Sequence, residues 1–211
     1  MWEAIEAYFE QNPPRTDHVQ PYFAADGKPT FEYTFAIPLT DPGFPLHPSG
    51  EPFLYTGRFD MLGTYLGRPC VRDEKTTGGS LGDSWADQWD LRAQFMGYVW
   101  ACQQAGIDLD TVIVRGISIL KTKLTIVEAV KTYPKYKVQR WYEQLRRDLV
   151  RLRAMWDDGY FDYNFGESCT AYGGCQFRSV CGAQDPDAWH SNYVVRHWSP
   201  LNKNPVEEPV A

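Results

Sequence analysis

Two short stretches of this sequence carry side chains that could work together on one reaction. Gly57-Arg58-Phe59-Asp60 ends in an aspartate, and Val71-Arg72-Asp73-Glu74-Lys75-Thr76 places a second aspartate and a lysine two residues apart. In extended chain, side chains alternate between faces, so Asp73 and Lys75 point one way and Glu74 the other. Two carboxylates at one spot repel each other unless a cation joins them. Mg²⁺ suits such a pair: it takes oxygen ligands and is held by one or two carboxylates plus water and phosphate. The backbone carbonyl of Glu74 would be a further oxygen ligand. This set fits phosphodiester hydrolysis, in which a divalent ion polarises the phosphoryl oxygen and acidifies water, while lysine stabilises developing charge. Asp-x-Lys alone is a weak signal, equally a surface charge pair. The geometric requirement is strict: at more than about 8 Å apart, Asp60 and Asp73 could not share one Mg²⁺ with bonds of about 2 Å.

Positioning these groups requires neighbouring strands. Residues 53–60 and 68–76 read as two strands turning near Gly63 or Gly67, and residues 30–37 as an earlier strand rich in aromatic and β-branched types. Trp2, Ile5, Tyr8 and Phe9 have helical spacing before Pro13-Pro14. A Pro/Gly loop follows at 41–52. Residues 85–104 read as one buried helix, with Ser84 and Asp87 at cap-like spacing and Gly106 at its end. A hairpin is predicted over 111–120 and 123–130. A long helix is predicted over 135–157, striped by Val138, Trp141, Tyr142, Leu145, Leu149, Leu152 and Trp156. The order implies an α/β fold, a mixed central sheet flanked by helices. On the buried helix, Gln94 and Tyr98 share a face at i, i+4, to hold the lysine-bearing strand or touch a nucleotide, or simply to sit satisfied in the core.

The chain of 211 residues is 43% apolar, 15% aromatic and 23% charged, enough for a real core. Neither a membrane span nor a signal peptide is read from it, so a cytoplasmic location is expected. The net charge of -6 argues against a nucleic-acid partner. The distribution matters more than the sum: there are ten Lys or Arg between Lys121 and Arg153 against three acids, Glu128, Glu143 and Asp148. Such a run is a solvated helix face or a track for a phosphate backbone. There is no Gly-rich Walker loop and no Gly-x-Ser-x-Gly elbow. Cys169, Cys175 and Cys181 form Cys-x5-Cys-x5-Cys, which reads as metal ligation, or as three reduced thiols. Cys70 and Cys102 read as small core residues. The expected organisation is one domain over 1–182, cysteines included, and a tail over 183–211.

Taken in order, Gly57-x-x-Asp60, Asp73-x-Lys75 and Gln94-x-x-x-Tyr98 resemble the RecB-like exonuclease family of the PD-(D/E)xK superfamily. That family includes the nuclease domains of RecB and AddB, CRISPR-associated nucleases of RecB type and many phage proteins. The resemblance runs from about Glu32 to Cys181. It implies a restriction-endonuclease-like core and binding of Mg²⁺ or Mn²⁺ by Asp60 and Asp73. It also implies a catalytic Lys75 and a helix motif of Gln94 and Tyr98. Glu32 matches an acid often found on the early strand. The family's upstream histidine is not found and His18 is a poor substitute; either the sequence begins just downstream of the usual motif, or another acid such as Glu3 or Glu6 takes the role. The cysteine segment resembles the C-terminal part of an iron–sulfur staple, which implies a [4Fe–4S] cluster ahead of Zn²⁺. The staple's upstream fourth cysteine is missing, and His190 is a candidate replacement.

These implications lead to a metal-dependent DNA exonuclease of recombination, repair, phage DNA processing or defence, acting on DNA alone or with helicase or recombination proteins. A second expectation is an inactive nuclease-like module that binds DNA or protein, stabilised by a metal or iron–sulfur site. A third is a small iron–sulfur or zinc protein with a coincidental carboxylate motif.

Overall fold

The computed structural model describes residues 2–23, 27–120, 123–194, 196–197 and 208–209. Lys121 and most of the chain beyond 197 lie outside them, as do the side chains of Trp2, Glu3 and His190. The chain divides into two compact units, Met1–Leu39 with Leu54–Arg147, and Thr40–Phe53 with Asp148–Ala211.

The first unit is built on a six-stranded mixed sheet: β1 (Val19–Pro21), β2 (Phe31–Pro38), β3 (Leu54–Tyr65), β4 (Arg68–Thr77), β5 (Thr111–Ile119) and β6 (Leu124–Thr132). The order is β1-β3-β4-β5-β6, and β2 extends the β1 edge of β3. Only β4 and β5 run parallel; the crossover between them carries α2 (Asp83–Asp87) and α3 (Ala93–Gln104). The antiparallel β3–β4 hairpin turns at Leu66 and Gly67, both at positive φ (50° and 77°). Two-residue turns of that kind match the twist of paired strands, and Gly67 supplies the conformation at little cost. This is the fold class expected, with β3 reaching five residues beyond the predicted strand end.

One predicted helix is two. Residues 85–104 break between Asp87 and Ala93 because Trp89 turns into the core, where it meets Trp85 and Phe95 edgewise or tilted. Its carbonyl accepts the buried Tyr133 hydroxyl, which fixes the break. α3 then starts one residue before Gln94. Its Phe95, Val99 and Cys102 are buried, and Gly97 lies against the Tyr55 ring of β3.

A buried charge network lies on the other sheet face. Arg115 of β5 is 1% exposed. It donates to Asp17 at 2.7 and 3.0 Å, to Glu128 at 2.6 Å and to the Tyr8 hydroxyl at 3.0 Å. Tyr8 comes from α1 (Trp2–Gln11), and its hydroxyl donates to Glu74 Oε1 at 2.6 Å. Arg72 joins Asp17 at 2.9 Å and Glu74 at 3.0 Å. Burial opposes the charge on Arg115, but the hydrogen bonds of Asp17, Tyr8 and Glu128 outweigh it and hold the guanidinium firmly protonated.

α4 (Lys135–Asp158) buries Val138 and half-buries Trp141, Tyr142 and Leu145, whereas Leu152 and Trp156 of its predicted stripe are exposed. In the second unit, the segment after α4 forms two 3-10 turns, Glu167–Cys169 and Ala171–Gly173, the short helix α5 (Arg178–Cys181) and a 3-10 stretch at Asp187–Asn192. Short pairings β7 (Arg196–His197) and β8 (Glu208–Pro209) follow.

Candidate active site

The sheet forks at the two aspartates. The β3–β4 ladder runs from Tyr65↔Arg68 to Met61↔Arg72 and stops. Beyond that point β3 continues with β2 through Pro38↔Leu54, while β4 continues with β5 through Thr77↔Ser118. Asp60 and Asp73 are the first residues past the fork.

A slip in the alternation of β3 aims Asp60 into this opening. Tyr55 and Phe59 face α3, where they meet Trp100 and Tyr98. Met61 faces the opposite side, packed with Val19, Cys70 and Ile113, yet Leu62 is back on the α3 side. The period of two is therefore broken by one place at Asp60, although the register keeps one residue on each strand between the flanking pairs. The partner strand slips at the same level: Glu32, between the pairs Phe31↔Met61 and Tyr33↔Phe59, has φ 48°. Asp60 Oδ2 consequently accepts the Glu74 backbone N–H at 2.9 Å, replacing the ladder bond lost at the fork. That nitrogen is two bonds from the Asp73 Cα, so the Asp60 oxygen lies within about 5 Å of the Asp73 backbone.

Asp73 is 1% exposed and Lys75 sits beside it on the same face, its ammonium paired with Asp73 Oδ1 and 5.9 Å from the centre of the Phe95 ring. Burial raises the Asp73 pKa; Lys75 opposes the rise, Asp60 and Glu74 add to it, and the net shift is upward. Gln94 reaches Asp73 Oδ2 at 3.4 Å and donates to the Tyr98 hydroxyl at 2.8 Å; Tyr98 in turn donates to the Arg58 carbonyl at 2.6 Å. The amide and phenol thus tie the lysine strand to β3 across α3. Glu74's carboxylate faces away, held by Tyr8 and Arg72.

Asp60, the Glu74 peptide, Asp73, Lys75, Gln94 and Tyr98 therefore meet in one place. Glu32 is at the rim, largely exposed and paired with Arg58 at 3.5 Å, near enough to raise the Tyr98 pKa behind burial, Asp73 and Asp60. His18 is elsewhere, bonded to Glu128 at 2.6 Å. Glu6 rides on α1, whose Tyr8 meets the Glu74 face.

The residues at the fork fit a hard cation. Among the described residues Asp73 Oδ1 is buried with no hydrogen-bond partner beyond its ion contact with Lys75, and the repulsion from Asp60 calls for positive charge. All donors are oxygens, as Mg²⁺ and Mn²⁺ prefer. Among the described residues no group of three or more His, Cys, Asp or Glu side chains is placed to hold a metal ion, so the fork offers two carboxylates. The same finding bears on the cysteines. Cys169 closes a 3-10 turn, Cys175 lies in the turn after Gly173-Gly174 and Cys181 ends α5. All three are free thiols, not gathered into a ligand set for iron–sulfur or zinc.

Sequence reasoning did not find the Tyr8–Arg115–Asp17 network, whose members lie about a hundred residues apart. The Glu74 N–H as partner of Asp60 left no mark in residue type either.

A family model for the PD-(D/E)XK nuclease superfamily matches residues 5–182. The chain belongs to that superfamily. No curated protein matches the sequence. Among solved structures, the crystal structure of SSO0001 is similar at 16% identity and a TM-score of 0.41, over 73% of this chain. The chain spans 60% of the length of that protein. Of the described residues of this superfamily member, no helix is long and apolar enough to cross a membrane.

Proposed function

We propose that this superfamily member is a Mg²⁺- or Mn²⁺-dependent DNA exonuclease, serving recombination, repair, phage DNA processing or defence, alone or with helicase or recombination partners. The observation that carries the reading is the fork: a buried, charge-repelled Asp73 beside Lys75, with Asp60 anchored to the very next peptide. Asp60 and Asp73 would hold the ion, with the Glu74 carbonyl as a further oxygen and Glu32 at the edge. When bound, the ion supplies charge neutralisation at the phosphoryl oxygen and acidifies the attacking water. Lys75, braced by Asp73 and Phe95, stabilises negative charge developing on the phosphate or orients that water. Gln94 and Tyr98 keep Asp73 and β3 in register, so the carboxylates need not reorganise when the phosphate arrives.

The test is digestion of end-labelled linear DNA in Mn²⁺, with closed circular DNA alongside. Wild-type protein should degrade the linear form and spare the circle. Lys75→Ala should cut at least about 100-fold more slowly, the scale of losing one transition-state charge donor, while still binding DNA. Wild-type protein that binds DNA and cuts nothing would instead be a nuclease-like binding module.

A further inference from the structure

Beside the fork, on the α3 side of the sheet, lies a cavity of about 600 Å³ between β2, β3 and the end of α3. Its volume is that of a small-molecule site. Tyr33, Phe35 and Phe59 line it with flat apolar rings, and Gln104 brings an amide to its wall. One feature marks it as more than a packing gap. The Tyr33 ring stacks on Phe59 with an interplanar angle of 5° and is 49% exposed, although it points toward the core side of its strand.

A chain of contacts runs from the cavity wall to the candidate active site. Phe59 touches Tyr98 edge-on at 4.9 Å between centroids, Tyr98 holds Gln94, and Gln94 reaches Asp73. Tyr33 is thus two ring contacts and two hydrogen bonds from the buried carboxylate. Arg58 lies between, its carbonyl on Tyr98 and its guanidinium at the rim.

We propose that this cavity receives an unpaired nucleobase of the substrate strand near the scissile phosphate, with Tyr33 as its stacking platform. This rests on the nuclease reading and deepens it. A base paired in a duplex cannot leave its stack without losing pairing and stacking energy, so the preferred substrate is a single-stranded or frayed end. Stacking on an aromatic face is tolerant of sequence, because every base has a π-face; degradation should therefore proceed with little sequence preference.

The experiment uses end-labelled single-stranded oligonucleotides, unmodified or with one abasic residue at successive positions, and the variants Tyr33→Leu and Tyr33→Phe. Cleavage is followed in Mn²⁺, and binding by fluorescence anisotropy in Ca²⁺. One abasic position should cost the wild type about 10-fold in KM and in Kd, the scale of one stacked base. Tyr33→Leu should show the same loss on unmodified strands and no added loss at that abasic position; Tyr33→Phe should behave as wild type. If the abasic penalty is absent, or persists undiminished in a Tyr33→Leu protein that melts like wild type, the platform is refuted. The binding arm decides this even if the wild type cuts nothing, an outcome that would overturn the nuclease reading alone.

Discussion

Asp73 is held where its charge is disfavoured, as expected of a carboxylate that waits for a cation. Burial foremost, then Asp60 and Glu74, favour its protonated form over its ionised one, and Lys75 offsets only part of this. An acid whose folded pKa is raised lends most stability below its unfolded pKa and loses it as pH rises. At pH 7 the neutral isostere is therefore the better-tolerated residue. Asp73→Asn should abolish cleavage yet melt at or above the wild-type temperature, as calorimetry at pH 7 would show; melting lower by several degrees would contradict this. Burial also acts on the thiols of Cys70 and Cys102, which it pushes up to about 12. At pH 8, native protein should alkylate at Cys175 and its two neighbours in the cluster and spare Cys70 and Cys102, read by mass spectrometry. Asp60, Asp73, Lys75, Gln94 and Tyr98 were legible as a set because their spacings are local, two and four residues within single elements. The groups that aim them were not: the Glu74 N–H is common to all residues, and the Asp17–Arg115 pair spans 98 positions.

At the scale of elements, α3 and β3 fix the fork together. Their contact is close at Gly97, where an added Cβ would fall on the Tyr55 hydroxyl at 1.7 Å. Tyr55 is wedged between Trp100 and Trp141 at 5.5 and 5.3 Å and has little room to retreat. Gly97→Ala should destabilise by about 1–3 kcal/mol, the usual range for overpacking, and should loosen the Gln94–Asp73 contact; urea unfolding measures the first. An unchanged midpoint would mean that α3 can shift freely. The strands and α3 were readable from period and composition. The break at Asp87–Ala93 was not, because Trp89 fits a buried helix as well as a turn that packs it. Nor was the slip at Asp60, since an alternation of two predicts every side chain one place wrong beyond it.

Across the first unit, the sheet separates two kinds of polar chemistry. One face holds repelled carboxylates at the fork; the other holds compensated charges around Arg115. Burial tends to raise the Asp17 pKa, but hydrogen bonds from Arg115 and the Val19 N–H, with the charges of Arg115 and Arg72, bring it down to about 2. A depressed acid contributes its stability above the unfolded pKa and loses it as pH falls through the folded one. Here that window runs from about pH 4 to about pH 2, and the loss is about 2 kcal/mol. Asp17→Asn should flatten the fall in unfolding free energy over this window. Arg115→Ala removes the buried cation that Asp17 and Glu128 share, leaving Arg72 beside Asp17 and His18 beside Glu128, and should destabilise by about 3–5 kcal/mol.

The proposed activity requires two carboxylates to share one ion at the point where β3 and β4 part. Titration of Mn²⁺ followed by electron paramagnetic resonance tests that directly. Wild-type protein should bind an ion that Asp60→Asn and Asp73→Asn each release while remaining folded. Mn²⁺ binding that survives unchanged in both variants would contradict it.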